Sequence, residues 1–414
     1  MSGAGHGELR RGWRNLAAAT LGIGFGVAAF TPVSSLFLKA LETEYGWSKA
    51  AAAGAFIALP ITALVLPIAG WLIDRYGVRL VAGVSSAMAV LSYFWLSQMG
   101  GALSEFYIAT IVLNVLGCAT GPVAYTRLVA AQFNARRGLA LAIAQFGIAF
   151  ISIAMPQFIG SVIGSYGWRG GYLFFAVATA VGALGAQVLM QPVVAGGRDG
   201  SAGGHPPRRA IRSAGFWLLG MAVLCISAAA FGLIAQFQSV LSDRGIGLGT
   251  ATMLLSLFAV AVMVSRLVVG RLLDTSHPHL AAAGVMAIAA LGAFLMLFGS
   301  SGLAVTTVAV VLIGCSIGAE LDLMSFYCAR LFGVRHYAAI YGLLSTFFYV
   351  GIATGVIGYG VIRTRVDSYD PALAGSALLF AVAAVLFMLL GRRPAFHADA
   401  SELPMRTDAA IPKN

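Results

Sequence analysis

The chain has very little charge for its length. Only 10% of its 414 residues are Asp, Glu, Lys or Arg, whereas a soluble globular domain carries about 25%. So few charged side chains cannot cover a surface that faces water. The composition therefore excludes a soluble globular protein and indicates that the surrounding solvent is lipid.

Several hallmarks of enzymes and pumps are also missing. The four cysteines, Cys118, Cys225, Cys315 and Cys328, fall in apolar segments without the spacing of metal ligands. No phosphate-cradling P-loop is found, which argues against an ATP-driven pump. No loop is long enough for a soluble catalytic domain. We therefore expect no enzyme activity, no catalytic residues, no metal and no cofactor.

Long apolar runs are what the chain does have. It is 59% hydrophobic with a mean hydropathy of +0.89, and a helix needs about 20 apolar residues to cross a bilayer. The short alternating segments of a membrane β-barrel are absent from the sequence. The pattern predicts an all-α integral membrane protein with about twelve transmembrane helices. The predicted spans are 14–38, 49–72, 79–99, 104–131, 138–164, 169–191, 214–241, 249–271, 280–299, 303–330, 338–362 and 371–391.

The chain divides into two similar halves. Residues 196–213 are the longest break in hydrophobicity and are rich in Gly, Ser, Pro and Arg, which predicts a flexible linker. We expect a six-helix bundle at 1–195, this linker, a second six-helix bundle at 214–391 and a tail at 392–414. Gly, Leu and Asp of segment 70–74 recur in segment 270–274, so the bundles should be pseudo-symmetric. Transporters built from repeats hold substrate between them near the bilayer midplane.

The positive charges are distributed unevenly across the predicted membrane. Of the 26 Lys and Arg residues, 18 fall in segments on the side of both termini and six on the other side. This asymmetry satisfies the positive-inside rule and predicts cytoplasmic N- and C-termini. The net charge of +11 is explained by orientation, so we expect no nucleic-acid partner.

Four charged residues lie within predicted spans: Arg127, Arg266, Glu320 and Asp322. A charge at a helix centre costs about 3 kcal/mol or more, so such residues usually face the bundle interior and have a function. Glu320 lies ten residues before Arg330, or about 15 Å along a helix, which places it near the midplane. The two arginines could instead extend toward headgroups on the cytoplasmic side.

Glu320 and Asp322 cannot both face one cavity. They are two residues apart, or roughly 200° around a helix. At most one faces the central cavity, and the other should face a neighbouring helix and a partner, with Arg127 and Arg266 as candidates. This arrangement suits a proton site whose occupancy depends on a substrate anion, and it equally fits a static buried ion pair.

Uncharged polar residues within the spans could shape a binding pocket. Asn114, Tyr125 and Tyr327 are candidates for substrate binding, and Gln145 is another polar group at such a position. Each is individually more often an interhelical hydrogen bond than a ligand contact.

The sequence Gly-Trp-Leu-Ile-Asp-Arg-Tyr-Gly-Val-Arg at residues 70–79 resembles the G-x-L-x-D-R-x-G-x-R signature of the major facilitator superfamily. The resemblance implies the two-bundle fold of that superfamily. It also implies that the loop latches the two halves on the cytoplasmic side and controls alternating access. The second copy has Thr275 in place of the arginine. The residues that take the latch role by this resemblance are Gly70, Asp74, Arg75, Gly77 and Arg79.

Further segments are similar to bacterial members near the monocarboxylate-porter branch of the superfamily. They are 45–50, 133–142, 318–322 and 332–337. Members of that branch typically move small carboxylates with protons and bind the anion with an arginine in the eighth span, a position that Arg266 matches. Two positions depart from the animal lactate carriers: Val262 replaces an acid, and the first span has Pro32 where those carriers have a lysine. Any proton-coupling acids must therefore be Glu320 and Asp322.

The resemblance implies a secondary active transporter that works by alternating access, with proton-coupled transport of a small organic anion, monocarboxylate-like. The expected partners are that substrate, protons and the lipid bilayer, and we expect a monomer in the bacterial cytoplasmic (inner) membrane. A proton-antiport exporter of a drug or a neutral or cationic metabolite is the alternative, and a non-transporting sensor on the same fold is a third interpretation. The expected substrate-binding residues are Arg266, Arg127, Tyr125, Tyr327 and Asn114, and the expected proton-coupling residues are Glu320 and Asp322.

Overall fold

The computed structural model describes residues 2–48, 51–52, 54–192, 203–275, 277–298 and 302–393. Over these ranges the chain is almost entirely helical, and the β-structure among them is one isolated antiparallel bridge between Gly204 and Gly333. The predicted all-α membrane fold is confirmed.

Most helices of the first half lie close to the predicted spans, but the first predicted span, 14–38, corresponds to a longer helical stretch from Ser2 to Tyr45. The helices of this half are α1 (Ser2–Gly24), a 3-10 helix (Val27–Val33), α2 (Ser34–Tyr45), a 3-10 helix (Gly54–Ile57), α3 (Ala58–Tyr76), α4 (Val78–Gln98), α5 (Leu103–Gly117), a 3-10 helix (Cys118–Thr120), α6 (Pro122–Gln132) and α7 (Arg137–Leu189). The helices of the second half are α8 (Pro207–Ile211), α9 (Ala214–Ala235), α10 (Phe237–Asp243), α11 (Leu248–Leu273), α12 (Pro278–Phe298), α13 (Leu303–Phe332), α14 (Tyr337–Val366) and α15 (Asp370–Leu390).

Among the described residues, ten helices are long and apolar enough to cross a membrane. Two features reconcile this number with the prediction. The segments 7–24 and 27–45 meet at 44° and qualify together as one broken span. A straight helix of the 53 residues in α7 would be about 80 Å long, much longer than one bilayer is thick. Instead, Gly167 divides α7 into two arms, with φ 68° and ψ 178°. Counting the broken pair as one span and the two arms of α7 separately gives the twelve that the sequence predicts.

The two bundles pack in a pseudo-symmetric way. Within the first bundle α1 lies along α7, and within the second α9 lies along α14. Between the bundles α3 packs on α14 and α7 packs on α11. A shift of 200 residues converts each of these pairs into the other. The seam between the bundles is therefore formed by two equivalent helix pairs.

Part of the predicted flexible linker is ordered. The His205 backbone N–H donates to the Phe332 carbonyl at 2.8 Å, and α8 follows immediately. Because this strand-like contact satisfies backbone groups on both segments, residues 203–205 are held against residues 332–334, in the loop after α13. Residues 196–202 of the predicted linker and residues 394–414 of the predicted tail lie outside the described residues.

Candidate transport site and latch

The first latch carboxylate joins the two bundles. Asp74, near the end of α3, accepts hydrogen bonds from the backbone N–H groups of Ala338 at 3.3 Å and Ala339 at 2.9 Å. These amides belong to the first turn of α14, where no intrahelical carbonyl is available to them. A negative charge there is also favoured by the helix dipole. Asp74 thus caps a helix of the opposite bundle.

The second copy of the motif makes the reciprocal contact. Asp274, just after α11, accepts from the N–H groups of Gly138 at 2.6 Å and Leu139 at 3.0 Å, in the first turn of α7. Burial raises the pKa of Asp274, and the two amide hydrogen bonds oppose that rise. The contacts of Asp74 and Asp274 are related by the same 200-residue shift. Loss of the arginine at Thr275 has not removed the carboxylate contact.

Glycines bring the two bundles into close contact at this end of the molecule. A Cβ atom added to Gly70 would lie 2.0 Å from the Ala338 carbonyl oxygen. One added to Gly270 would lie 2.5 Å from the Ala142 Cβ atom. Both motif glycines therefore lie directly in the seam. Gly77 has a different role, because its φ of 87° in the turn between α3 and α4 favours glycine.

The two arginines of the motif, Arg75 and Arg79, make contacts with groups other than Asp74. The Arg75 guanidinium stacks over the rings of Trp71 and Tyr76, 5.3 and 5.5 Å from their centroids. Arg79 is exposed and its carbonyl accepts from the Gln187 side chain at 2.8 Å. The cation that pairs with Asp74 is Arg127, whose Nε donates to Asp74 Oδ1 at 2.6 Å.

We call this end of the molecule the arginine-rich end. It is defined by the two latch carboxylates and by six arginines in the adjacent helix ends and loops. They are Arg75, Arg79, Arg136, Arg137, Arg330 and Arg335.

Arg127 lies at the latch, in contact with a carboxylate of its own bundle. We expect Arg127→Met to lower the rate of transport and leave the substrate KM within about twofold of wild type. Removing the partner of a largely buried carboxylate costs on the order of 1–3 kcal/mol, and Asp74 is 6% exposed. Uptake at graded substrate concentration separates the two parameters, with Arg271→Met on the exposed face of α11 as the control. A tenfold rise in KM in Arg127→Met would instead support the expected role in substrate binding.

Two of the buried charges, Arg266 and Asp322, meet at the seam between the bundles. Arg266 of α11 donates through Nη1 to Asp322 Oδ1 of α13 at 3.0 Å. Gln145 of α7 donates through Nε2 to the same oxygen at 2.5 Å. Arg266 and Asp322 belong to the second bundle and Gln145 to the first. The three side chains therefore form a polar cluster that bridges the bundles.

The cluster is dry and incompletely paired. Asp322 and Gln145 are fully buried and Arg266 is 4% exposed. Among the described residues, three buried atoms of the cluster have no hydrogen-bond partner: Asp322 Oδ2, Arg266 Nε and Gln145 Oε1. An unpaired buried polar atom is costly, so native proteins keep few of them. These atoms provide acceptor and donor capacity that a ligand or proton can use.

Glu320 points away from the seam. Its carboxylate accepts a hydrogen bond from the Ser227 hydroxyl of α9, inside the second bundle, and only 1% of the residue is exposed. The two acids thus face different helices, as their spacing predicts, with Asp322 on the seam and Glu320 in the bundle interior. The partner of Asp322 is Arg266, one of the two candidates, while Arg127 lies at the latch.

The other expected substrate-binding residues lie apart from one another. Tyr125 packs against Gly22 in the first bundle. Tyr327 packs on Phe387 in the second, with ring centroids 5.5 Å apart. Asn114 donates to the Thr110 carbonyl at 2.9 Å and lines a partly open pocket in the first bundle. None of these contacts brings them to Arg266.

Gln145 is the residue whose importance the sequence does not reveal. A glutamine in a long apolar span indicates an interhelical hydrogen bond, and the structure contains that bond for Gln145. The sequence does not tell which helix it reaches. Within the described residues, no group of three or more His, Cys, Asp or Glu side chains is placed to hold a metal ion.

Two pseudo-symmetric helical bundles, reciprocal helix caps between them and a buried charged cluster in their seam define a membrane transporter rather than an enzyme. The chain belongs to the Major Facilitator Superfamily, whose family model matches residues 16–356.

Comparison with individual sequences identifies distant relatives. The chain is 28% identical over 340 residues to the "Uncharacterized 38 kDa protein in 23S RNA operon" of Thermoproteus tenax, covering 81% of this chain and 83% of that protein. It is 26% identical over 204 residues to Monocarboxylate transporter 4 of Rattus norvegicus, covering 48% of this chain. That match spans 42% of the monocarboxylate transporter, less than half of its length.

Solved structures share the fold at low sequence identity. The E. coli fucose:proton symporter FucP superposes with a TM-score of 0.72 at 14% identity, over 92% of this chain and 99% of that one. The human organic anion transporter MFSD10 superposes with a TM-score of 0.68 at 15% identity, over 91% and 98% of the two chains. These likenesses establish the fold.

Proposed function

We propose that this transporter couples the movement of a small organic anion to protons by alternating access, with Arg266 as the anion site. The observation that carries the proposal is the buried Arg266–Asp322 pair at the seam. The named activities of two relatives support it, since one is a monocarboxylate transporter and a structural neighbour is an organic anion transporter.

The ion pair supplies a reason for coupling. A substrate carboxylate that binds Arg266 displaces Asp322 from its cation. An ionised carboxylate left unpaired in a dry seam is strongly unfavourable, whereas the protonated acid is neutral. Substrate anion and proton are therefore favoured to bind together. Their joint binding leaves the net charge of the site unchanged.

The arrangement of contacts supports one conformational assignment. The inter-bundle contacts of Asp74, Asp274 and Gln145 all lie toward the arginine-rich end. The positive-inside rule assigns this end to the cytoplasm. The structure then corresponds to a state that is closed on the cytoplasmic side, with both termini in the cytoplasm.

We assign the protein, as a monomer, to the bacterial cytoplasmic membrane.

We expect Asp322→Asn to separate exchange from accumulation. Asparagine leaves Arg266 free for the substrate and takes up no coupling proton. Exchange of labelled carboxylate across proteoliposomes should persist and lose its pH dependence, while accumulation driven by a pH gradient should fall at least about tenfold. Asp243→Asn makes the same chemical change in an exposed ion pair with Arg363 and serves as the control. Accumulation equal to wild type in Asp322→Asn would contradict the proposed coupling.

Glu320 favours a second candidate function. Asp322 already neutralises Arg266, and Glu320 has a hydroxyl rather than its own cation as a hydrogen-bond partner. An acid in that setting suits a proton-antiport exporter of a neutral or cationic compound. Such a protein would confer resistance to a toxic cation when expressed, and Glu320→Gln would remove the resistance. Carboxylate uptake would then be absent.

A further inference from the structure

The bond between Gln145 and Asp322 differs from the latch contacts, because its acceptor is part of the proposed proton site. Gln145 lies eight residues into α7 and Asp322 lies eight residues before Arg330, so each is about 12 Å from the arginine-rich end. Both side chains are fully buried. The 2.5 Å bond between them crosses the seam and must break when the bundles separate at this end.

The strength of this bond depends on the charge of its acceptor. An ionised carboxylate accepts a charge-assisted hydrogen bond, which is roughly twice as strong as one between neutral groups. Ionised Asp322 also holds Arg266 on the same oxygen as Gln145, which fixes the carboxylate facing the seam. Protonation of Asp322 weakens both bonds. The seam is therefore held more tightly when Asp322 is charged.

We propose that Gln145 is a positioning residue that makes opening of the arginine-rich end depend on the charge of Asp322. Ionised Asp322 holds the two bundles together through Gln145, and protonated Asp322 releases them. The inference rests on Asp322 as the proton site of the proposed function and does not depend on which substrate is carried.

The consequence is directional coupling. Binding of a proton with a substrate anion loosens the seam and lets the arginine-rich end open. Loss of the proton restores the charge on Asp322, and the bond to Gln145 favours closure of the empty transporter. A proton alone is disfavoured, because neutral Asp322 would leave Arg266 without its anion in the dry seam. A ligand shifts the equilibrium between the closed and open states only if it binds one of them more tightly. The bond to Gln145 makes the proton bind more tightly to the state that is open at the arginine-rich end.

The experiment measures the separation of the bundles as a function of pH. Spin labels at Ala135→Cys and Arg335→Cys occupy exposed loops of the two bundles that are 200 residues apart. The background replaces all four native cysteines by alanine, at Cys118, Cys225, Cys315 and Cys328, so that only the two introduced thiols take the label. The distance between the two labels is measured in lipid nanodiscs at saturating benzoate. Lowering the pH from about 8 to about 5 should increase the fraction of molecules with the longer distance by on the order of tenfold.

Two variants and two controls decide the outcome. Gln145→Met keeps the volume but has no donor, and Gln145→Asn keeps the amide but draws it back by one methylene. Both should lose the pH response, as should Asp322→Asn. Ser345 occupies the position of α14 that is equivalent to Gln145, and its hydroxyl donates to the Tyr341 carbonyl of the same helix. Ser345→Ala should therefore respond to pH like wild type.

Opposite results would overturn the inference in distinguishable ways. A pH response kept in both Gln145 variants but lost in Asp322→Asn would refute the role of Gln145 and leave the proton site standing. A wild-type protein that takes up benzoate but shows no pH response would refute the charge-dependent bond between Gln145 and Asp322. Proton-linked uptake of benzoate or other carboxylates is measured separately, so failure of the proposed function would be seen in that assay.

Discussion

Replacing Arg266 by alanine should abolish carboxylate uptake while the protein still assembles in the membrane. The change removes the proposed anion anchor and strips Asp322 of its cation. Losing one partner of a buried, hydrogen-bonded charge pair between protein and ligand costs on the order of 2–5 kcal/mol of binding, and 1.4 kcal/mol corresponds to a factor of ten. We therefore expect uptake into proteoliposomes to fall at least about a hundredfold.

Two further variants show whether this loss concerns the site or the fold. The double variant Arg266→Ala with Asp322→Asn removes both charges and should elute as a monodisperse protein, still without uptake. Arg271→Ala, on the exposed face of the same helix, should transport like wild type. Uptake by Arg266→Ala within about twofold of wild type would remove Arg266 from the substrate site.

Gly70→Ala should have the second-largest effect on transport, because it disturbs the contact between the bundles at the latch. The added methyl would lie 2.0 Å from the Ala338 carbonyl oxygen, and that backbone is held in place because its first-turn amides donate to Asp74. Overpacking of this kind costs about 1–3 kcal/mol. The added methyl therefore destabilises the state that is closed at the arginine-rich end. Because alternating access requires this state, we expect transport to fall at least about tenfold.

Cys328 of the second bundle lies close enough to Asp74 of the first bundle to interact with it electrostatically, so its exposure should follow the separation of the bundles. Its thiol is fully buried and donates to the Tyr337 carbonyl at 3.7 Å, at the start of α14. Maleimide labelling of Cys328, followed by mass spectrometry of its peptide, should become at least about tenfold faster in Gly70→Ala. Gly164→Ala, where an added Cβ meets nothing within 4 Å, is the control. Wild-type labelling and transport in Gly70→Ala would show that the contact at Gly70 does not hold the closed state.

The fold is legible from the sequence because lipid imposes a simple rule on helix length. Each span needs a long apolar run, so the spans can be read almost one by one. The break that the sequence places between 164 and 169 is Gly167 in the structure, within a helix that is otherwise continuous. The repeat of Asp74 at Asp274 likewise predicts equivalent halves, and the structure gives both acids equivalent partners.

The site is only partly legible, because sequence gives the depth of a residue but not the helix it faces. The two-residue spacing of Glu320 and Asp322 correctly predicts that they point in different directions. It does not tell that Asp322 meets Arg266 and Gln145. Arg127 illustrates the limit, since its depth is similar to that of other candidates and yet its side chain reaches Asp74. These pairings depend on how the bundles are rotated against each other, which hydrophobic periodicity does not encode.

The central claim is that organic anions and protons move together, and it is tested most directly in liposomes. Purified protein is reconstituted with a trapped pH dye and challenged with mono-, di- and aromatic carboxylates, with protein-free liposomes correcting for passive entry of the neutral acids. The account predicts internal acidification on addition of at least one carboxylate, beyond that passive signal, and its loss in Arg266→Ala. Silence across the panel, from protein whose transport of another compound is demonstrated, would contradict it and favour the exporter.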